Sequence, residues 1–180
     1  AAQSIVLLKN QDNILPLSEN KTVAVIGEFA EKARYQGAGS SMVNSTKVDS
    51  IKDMLETSGI SVTGIVRGYQ RDGKEDETMK KEAVDLARRS DVVLFFFGLN
   101  EKSETEGLDR KHLRIPQNQI NLIQELAKAN ANMIGIISAG SVIEMPWHHH
   151  FKALLHTALM GQAGAGAVLD ILSGKVNPSG

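Results

Sequence analysis

Three glutamates, an aspartate and an arginine crowd the segment Asn100-Glu101-Lys102-Ser103-Glu104-Thr105-Glu106-Gly107-Leu108-Asp109-Arg110, which follows the apolar run 92–97 and Gly98. An uninterrupted apolar run of that length suits a strand buried on both faces of a parallel sheet. In open α/β sheets ligands bind at the carboxyl ends of such strands, so the loop beyond Gly98 is where chemistry would sit. A carboxylate delivered there is a candidate general acid or base. The same composition also describes a solvated cluster of ion pairs without a catalytic role.

A second polar loop, Gln36-Gly37-Ala38-Gly39-Ser40-Ser41, follows the first apolar strand candidate and should open on the same sheet edge. Its glycines let backbone amides approach a ligand, and its serines donate and accept hydrogen bonds. The spacing is neither a dinucleotide fingerprint nor a phosphate-binding P-loop. His148-His149-His150 offers imidazoles, but successive side chains diverge and no spaced partner ligands accompany them, so a surface loop is expected and no metal. His112 and His156 stand alone and read as structural. Ser138 and Ser141 flank Gly140 without the G-x-S-x-G spacing of a hydrolase elbow. Phe95, Phe96 and Phe97 read as core.

The elements that would position these groups alternate. Helices are expected over 1–10, 49–55, the polar stretch after Asp72-Gly73 (with Met79, Ala83, Val84, Leu86 and Ala87 as its buried stripe), the segment after Pro116, and 163–172. Strands are expected over 22–26, 60–66, 92–97, 133–137 and 153–159. This alternation predicts βαβ units: an α/β, three-layer arrangement with a mostly parallel sheet between helices. With 180 residues, 42% of them hydrophobic, a full core in one domain spanning 1–180 is expected. Twenty basic against 21 acidic residues, a formal charge of −1, offer no attraction to nucleic acid or to an anionic membrane surface. No apolar run reaches bilayer-spanning length. There is no cysteine, which excludes disulfides and thiolate metal sites. The chain opens in mid-pattern and stops on a turn signal, Asn177-Pro178-Ser179-Gly180, as a piece of a longer protein would.

Several segments line up with one family. Ala2-Gln3-Ser4-Ile5-Val6-Leu7-Leu8-Lys9-Asn10, leading to Leu15-Pro16-Leu17, resembles the start of the second domain of glycoside hydrolase family 3, the β-glucosidase and β-xylosidase group. The resemblance continues through Val23-Ala24-Val25-Ile26-Gly27, the 36–41 loop, Glu106-Gly107-Leu108-Asp109-Arg110, Leu113-Arg114-Ile115-Pro116, Met145-Pro146-Trp147 and the segment 174–180. It spans nearly the whole chain, in order.

That resemblance implies a five- or six-stranded α/β sandwich packed beside a (β/α)8 barrel absent from this chain, with the active site between the two. It implies that the barrel brings the nucleophilic aspartate and this domain the general acid/base, on the loop after its third expected strand. The E-G-x-D-R pattern makes that residue Glu106, with Glu104 as second choice because this loop varies in length. Gly39, Ser40, Asp109 and Arg110 are the expected substrate-binding residues, with Arg110 pairing with Asp109 to fix the loop. The substrate would be a β-linked oligosaccharide, glucoside or xyloside, and no cofactor is implied. The motif counts against β-N-acetylglucosaminidase activity, whose family members often lack this glutamate. Retaining chemistry needs a protonated acid about 5–5.5 Å from the nucleophile. Glu101, Glu104 and Asp109 are expected to supply the negative charge that keeps it protonated. Without the barrel, Glu106 is expected in water with an ordinary pKa, and the chain alone should be inactive. Two rivals remain: a non-catalytic carbohydrate-binding or interaction module on the same fold, and a flavodoxin-like nucleotide-binding domain.

Overall fold

A computed structural model describes residues 1–180. Its centre is a six-stranded sheet: β1 (Val6–Asn10), β2 (Val23–Ile26), β3 (Val62–Val66), β4 (Val92–Gly98), β5 (Met133–Ser138) and β6 (Ala153–His156). The spatial order is β1-β6-β5-β4-β2-β3. All neighbouring pairs are parallel except β1, which runs antiparallel to β6 with Val6 opposite His156 and Asn10 opposite Ala153.

Every residue of β4 and β5 is buried, as the apolar runs required. Alternation along β4 divides the core in two. Phe95 and Phe97 join one cluster with residues of α3 (Glu77–Arg88) and α4 (Gln117–Ala129). Leu94 and Phe96 join the other, with residues of α1 (Glu28–Glu31), α2 (Ile51–Leu55) and α5 (Gly164–Leu172). The result is the expected three-layer sandwich. Phe97 anchors the first cluster: its ring stacks on Phe95 and Phe151 at centroid distances of 4.7 and 5.5 Å and meets Trp147 edge-on at 5.0 Å. Such pairs add to what area burial alone contributes.

The helix starts follow local chemistry. Ser50 Oγ accepts from the Asp53 amide at 3.1 Å to cap α2, and Asp76 accepts from the Met79 amide at 3.0 Å to cap α3. Pro116 caps α4, whose first turn buries Asn118 and Gln119. Gln119 Oε1 takes the Gly98 amide at 3.0 Å and so ties α4 to the end of β4.

One expected element is of the wrong kind. Residues 1–10 do not form a helix: Ala2–Ser4 make a single 3-10 turn and Val6–Asn10 form an edge strand. The run Ile5-Val6-Leu7-Leu8 is apolar at every position, so its periodicity favours neither state. The free edge of β6 decides by supplying backbone partners. The expected strand 153–159 ends earlier, at His156, because Ala158 turns into a left-handed conformation (φ 49°).

Topology then marks a place for ligands. The chain runs from β2 outward to β3, returns to β4 on the other side of β2, and continues outward through β5 and β6. The strand order reverses between β2 and β4, and in open α/β sheets ligands bind outside the carboxyl ends of the strands at such a switch point.

Candidate active site

The two loops leaving that switch point meet. After β4, Asn100 caps a short 3-10 turn, Glu101–Glu104, its Oδ1 accepting from the Ser103 amide at 2.9 Å and its Nδ2 donating to the Arg71 carbonyl at 2.6 Å. Glu101 is gripped by Arg71, whose Nε donates to Oε2 at 2.9 Å and whose guanidinium lies 4.6 Å above the Phe29 ring. Partial burial pushes the Glu101 pKa up, but the Arg71 hydrogen bonds and charge outweigh it and leave the carboxyl below its ordinary value.

Glu104 turns inward. Its side chain is 8% exposed, and its Oε2 lies 3.4 Å from Nη2 of Arg34, which is itself 1% exposed. The same carboxylate accepts from the Gly140 amide at 3.1 Å and from Ser141 Oγ at 2.7 Å, on the loop after β5. Burial holds the Arg34 guanidinium below its usual pKa, although Glu101 and Glu104 pull the other way.

Glu106 turns outward. Thr105 bridges in parallel to Ala38, which brings the tip of the β4 loop against the Gly39–Ser41 turn of the β2 loop. There the exposed Glu106 carboxylate accepts from the Ser40 amide at 3.2 Å and from the Ser40 hydroxyl. Gly39 permits the approach: its φ is +82°, and a Cβ on it would lie 2.9 Å from Glu106 Cβ.

Three expectations about this loop are corrected. Glu106 does not have an ordinary pKa: donation from the Ser40 hydroxyl, then from its amide, holds the carboxyl below the usual range. Glu101 and Glu104 do not raise it, because each is paired with an arginine. Arg110 does not pair with Asp109. Its Nη1 donates to Ser141 Oγ and the Val142 carbonyl, both at 2.8 Å, while Asp109 stays exposed outside this network. Neighbouring side chains diverge, so adjacency in sequence was a poor guide.

The other candidates stand apart. His148 and His149 direct Nδ1 at the carbonyls of Met145 and Pro146, both at 2.9 Å, within a 3-10 turn. Ser138 is buried with Oγ 3.3 Å from Thr157 Oγ1, and Ser141 is engaged as described. No helix is long and apolar enough to cross a membrane. Arg34 and Arg71 were missed by sequence reasoning; they lie 70 and 30 residues from their glutamates, and nothing local signals the pairings.

The pattern of the glycosyl hydrolase family 3 C-terminal domain matches residues 5–180. The chain belongs to that family. Thermostable beta-glucosidase B of Acetivibrio thermocellus is 44% identical over 184 residues, covering all of this chain and 24% of that protein. An exo-alpha-(1->6)-L-arabinopyranosidase of Bifidobacterium breve is 43% identical over 191 residues, covering all of this chain and 25% of that protein. The crystal structure of a family 3 beta-glucosidase from Bifidobacterium adolescentis superposes with a TM-score of 0.92 at 44% identity, over 97% of this chain and 26% of that one. This family 3 C-terminal domain therefore spans about a quarter of the length of the relatives it matches.

Proposed function

We propose that this domain serves a retaining glycosidase as the carrier of its general acid/base, Glu106, while a (β/α)8 barrel in the same protein brings the nucleophilic aspartate. The observation that carries the reading is the contrast between neighbouring carboxylates at the switch point. Glu106 projects into solvent beside the Ser40 hydroxyl, whereas Glu104, the alternative acid, has both oxygens engaged within the domain. A proton donor must reach the glycosidic oxygen of a substrate, and only an outward carboxylate does so. Ser40 and Gly39 fit a role beside the sugar. Arg110 fits a role in holding the loop rather than the substrate, and Asp109 remains free for contact.

The substrate class follows from the relatives: a terminal pyranoside, such as a β-glucoside or an α-L-arabinopyranoside by those at 44% and 43% identity, or a β-xyloside by those at 33–35%. A glutamate held below its ordinary pKa is a poor acid near neutral pH. In the assembled enzyme, burial at the domain junction and a nucleophile carboxylate about 5–5.5 Å away would both raise it. The domain alone therefore holds half a site and should not hydrolyse an aryl β-glucoside.

The test is Glu106→Ala in the full-length enzyme. Loss of kcat/KM should be severe for alkyl glycosides, whose leaving groups need the proton, and slight for dinitrophenyl glycosides, whose leaving groups do not. Azide should restore turnover of the activated substrate, since it attacks the glycosyl-enzyme without a base. Small losses, equal for both substrates, would favour a carbohydrate-binding module on the same fold.

A further inference from the structure

Both flanks of the loop tip that carries Glu106 converge on a single residue. On one side Glu104 accepts from Ser141 Oγ at 2.7 Å; on the other Arg110 donates to the same oxygen at 2.8 Å. Ser141 belongs to the loop after β5, so residues 105–109, which turn at Glu106-Gly107, are held at both ends by one neighbouring loop. The Glu104 anchor is itself held from below by the buried Arg34 guanidinium and by the Gly140 amide.

This arrangement is ill-suited to stability alone. Arg34 meets Glu104 at 3.4 Å through one nitrogen, and its Nε is buried without a partner. Glu104 has the Gly140 and Ser141 donors besides, but the buried guanidinium has this one long contact to offset its desolvation, and buried pairs of this kind are weak evidence for stability. What the pair does supply is direction. Glu104 ends the 3-10 turn, Thr105 bridges to Ala38, and Glu106 follows at once, so the Glu104 contacts hold the segment from which Glu106 departs.

We propose that Glu104, seated on Arg34 and bridged through Ser141 to Arg110, is a positioning residue that sets the reach of Glu106. The inference rests on the reading of Glu106 as acid/base. Glu104 transfers no proton itself. It fixes where the proton donor stands relative to the glycosidic oxygen, and a misplacement near 1 Å is worth about 100-fold in rate.

The test uses Glu104→Gln and Ser141→Ala in the full-length enzyme, with Glu106→Ala as reference. Gln keeps one acceptor for the Gly140 and Arg34 donors but removes the charge facing Arg34, and its amide must donate where Oε1 now accepts from Ser141 Oγ. Ser141 is exposed, so its variant breaks the bridge without entering the core. For alkyl glycosides, kcat/KM should fall about tenfold or more in both variants, and for dinitrophenyl glycosides by about threefold or less, because the deficit passes through proton donation. Combined with Glu106→Ala, neither variant should reduce alkyl-glycoside hydrolysis further, since residues acting through one another are not additive. Losses equal for the two substrates, or losses that multiply with Glu106→Ala, would mean a general folding role and overturn the inference. A leaving-group split in Glu106→Ala with none in Ser141→Ala or Glu104→Gln also overturns it while leaving the acid/base assignment standing. No split in Glu106→Ala itself overturns both.

Discussion

Replacing Gly39 by alanine should move Glu106 without touching it chemically. The native φ of +82° places an L-residue in the left-handed region, which costs about 1–2 kcal/mol. The new methyl would sit 2.9 Å from Glu106 Cβ and 3.2 Å from its amide nitrogen. Carbon atoms rest at about 3.5–4.0 Å, so residues 105–106 must withdraw by roughly 0.6 Å or more. The Ser40 amide already lies 3.2 Å from Glu106 Oε2, at the long end of hydrogen bonding, and that withdrawal breaks the bond. Its loss removes one of the two donors that hold the carboxyl low. Gly59 supplies the control: its φ is +80°, and a Cβ there would meet nothing within 4 Å. Both variants should lose a similar 1–2 kcal/mol or so in urea unfolding from backbone strain. Only Gly39→Ala should raise the Glu106 pKa toward the ordinary glutamate range, followed through the side-chain carboxyl carbon by NMR titration. An unchanged Glu106 titration in Gly39→Ala, or an equal rise in Gly59→Ala, refutes the contact as the link between the two loops.

Two further outcomes test the scaffold. Phe97→Ala removes a ring with no solvent exposure from the centre of an aromatic cluster, and urea unfolding should show a loss of about 3–5 kcal/mol. Acid should destabilise the fold through Asp91, whose carboxyl is held below its ordinary value by the Thr22 amide and hydroxyl. A depressed folded pKa means that its contribution is complete above the unfolded aspartate value of about 3.9 and disappears as pH falls through the folded one. Asp91→Asn should therefore flatten the pH dependence of the urea midpoint below about pH 4, and an unchanged slope would remove Asp91 from the account.

How much of this was legible beforehand depended on whether the deciding interaction was local. The runs in β4 and β5, the alternation of strands with helices and the polar loop beyond Gly98 carried their structural meaning in neighbouring residues, and the sheet formed accordingly. The segment 1–10 did not: with residues 5–8 apolar at every position, its state depended on an edge about 150 residues away, as the pairing of Val6 with His156 shows. The loop behaved in the same way. Composition named Glu101, Glu104 and Glu106 as a set, but their separation into two clamped carboxylates and one outward carboxylate was made by Arg34 and Ser40 from the β2 loop and Arg71 from the β3 loop. No spacing rule reaches across such distances. The low pKa of Glu106 was missed for the same reason, since its cause is a serine 66 residues away.

The Ser40 bond also bears on how a single carboxyl could serve both halves of a retaining cycle. On the proposed assignment, Glu106 must be protonated when the glycosidic bond breaks and ionised when water attacks the glycosyl-enzyme. Ser40 donors favour the ionised form and therefore assist only the second half. The first half needs an opposing influence that later disappears. A nucleophile carboxylate on the barrel has that property: charged and close, it raises the Glu106 pKa before attack, and once esterified to the sugar it is neutral and the effect is gone. Glu106 gives its proton to the departing glycosidic oxygen, and the Ser40 donors then hold the resulting carboxylate ionised while it takes a proton from the attacking water. On this account Ser40→Ala in the full-length enzyme should slow deglycosylation more than glycosylation. The measurement is kcat against kcat/KM on a dinitrophenyl glycoside, where deglycosylation limits kcat: kcat should fall while kcat/KM holds. A fall in kcat/KM alone would place Ser40 on the substrate and not on the acid/base.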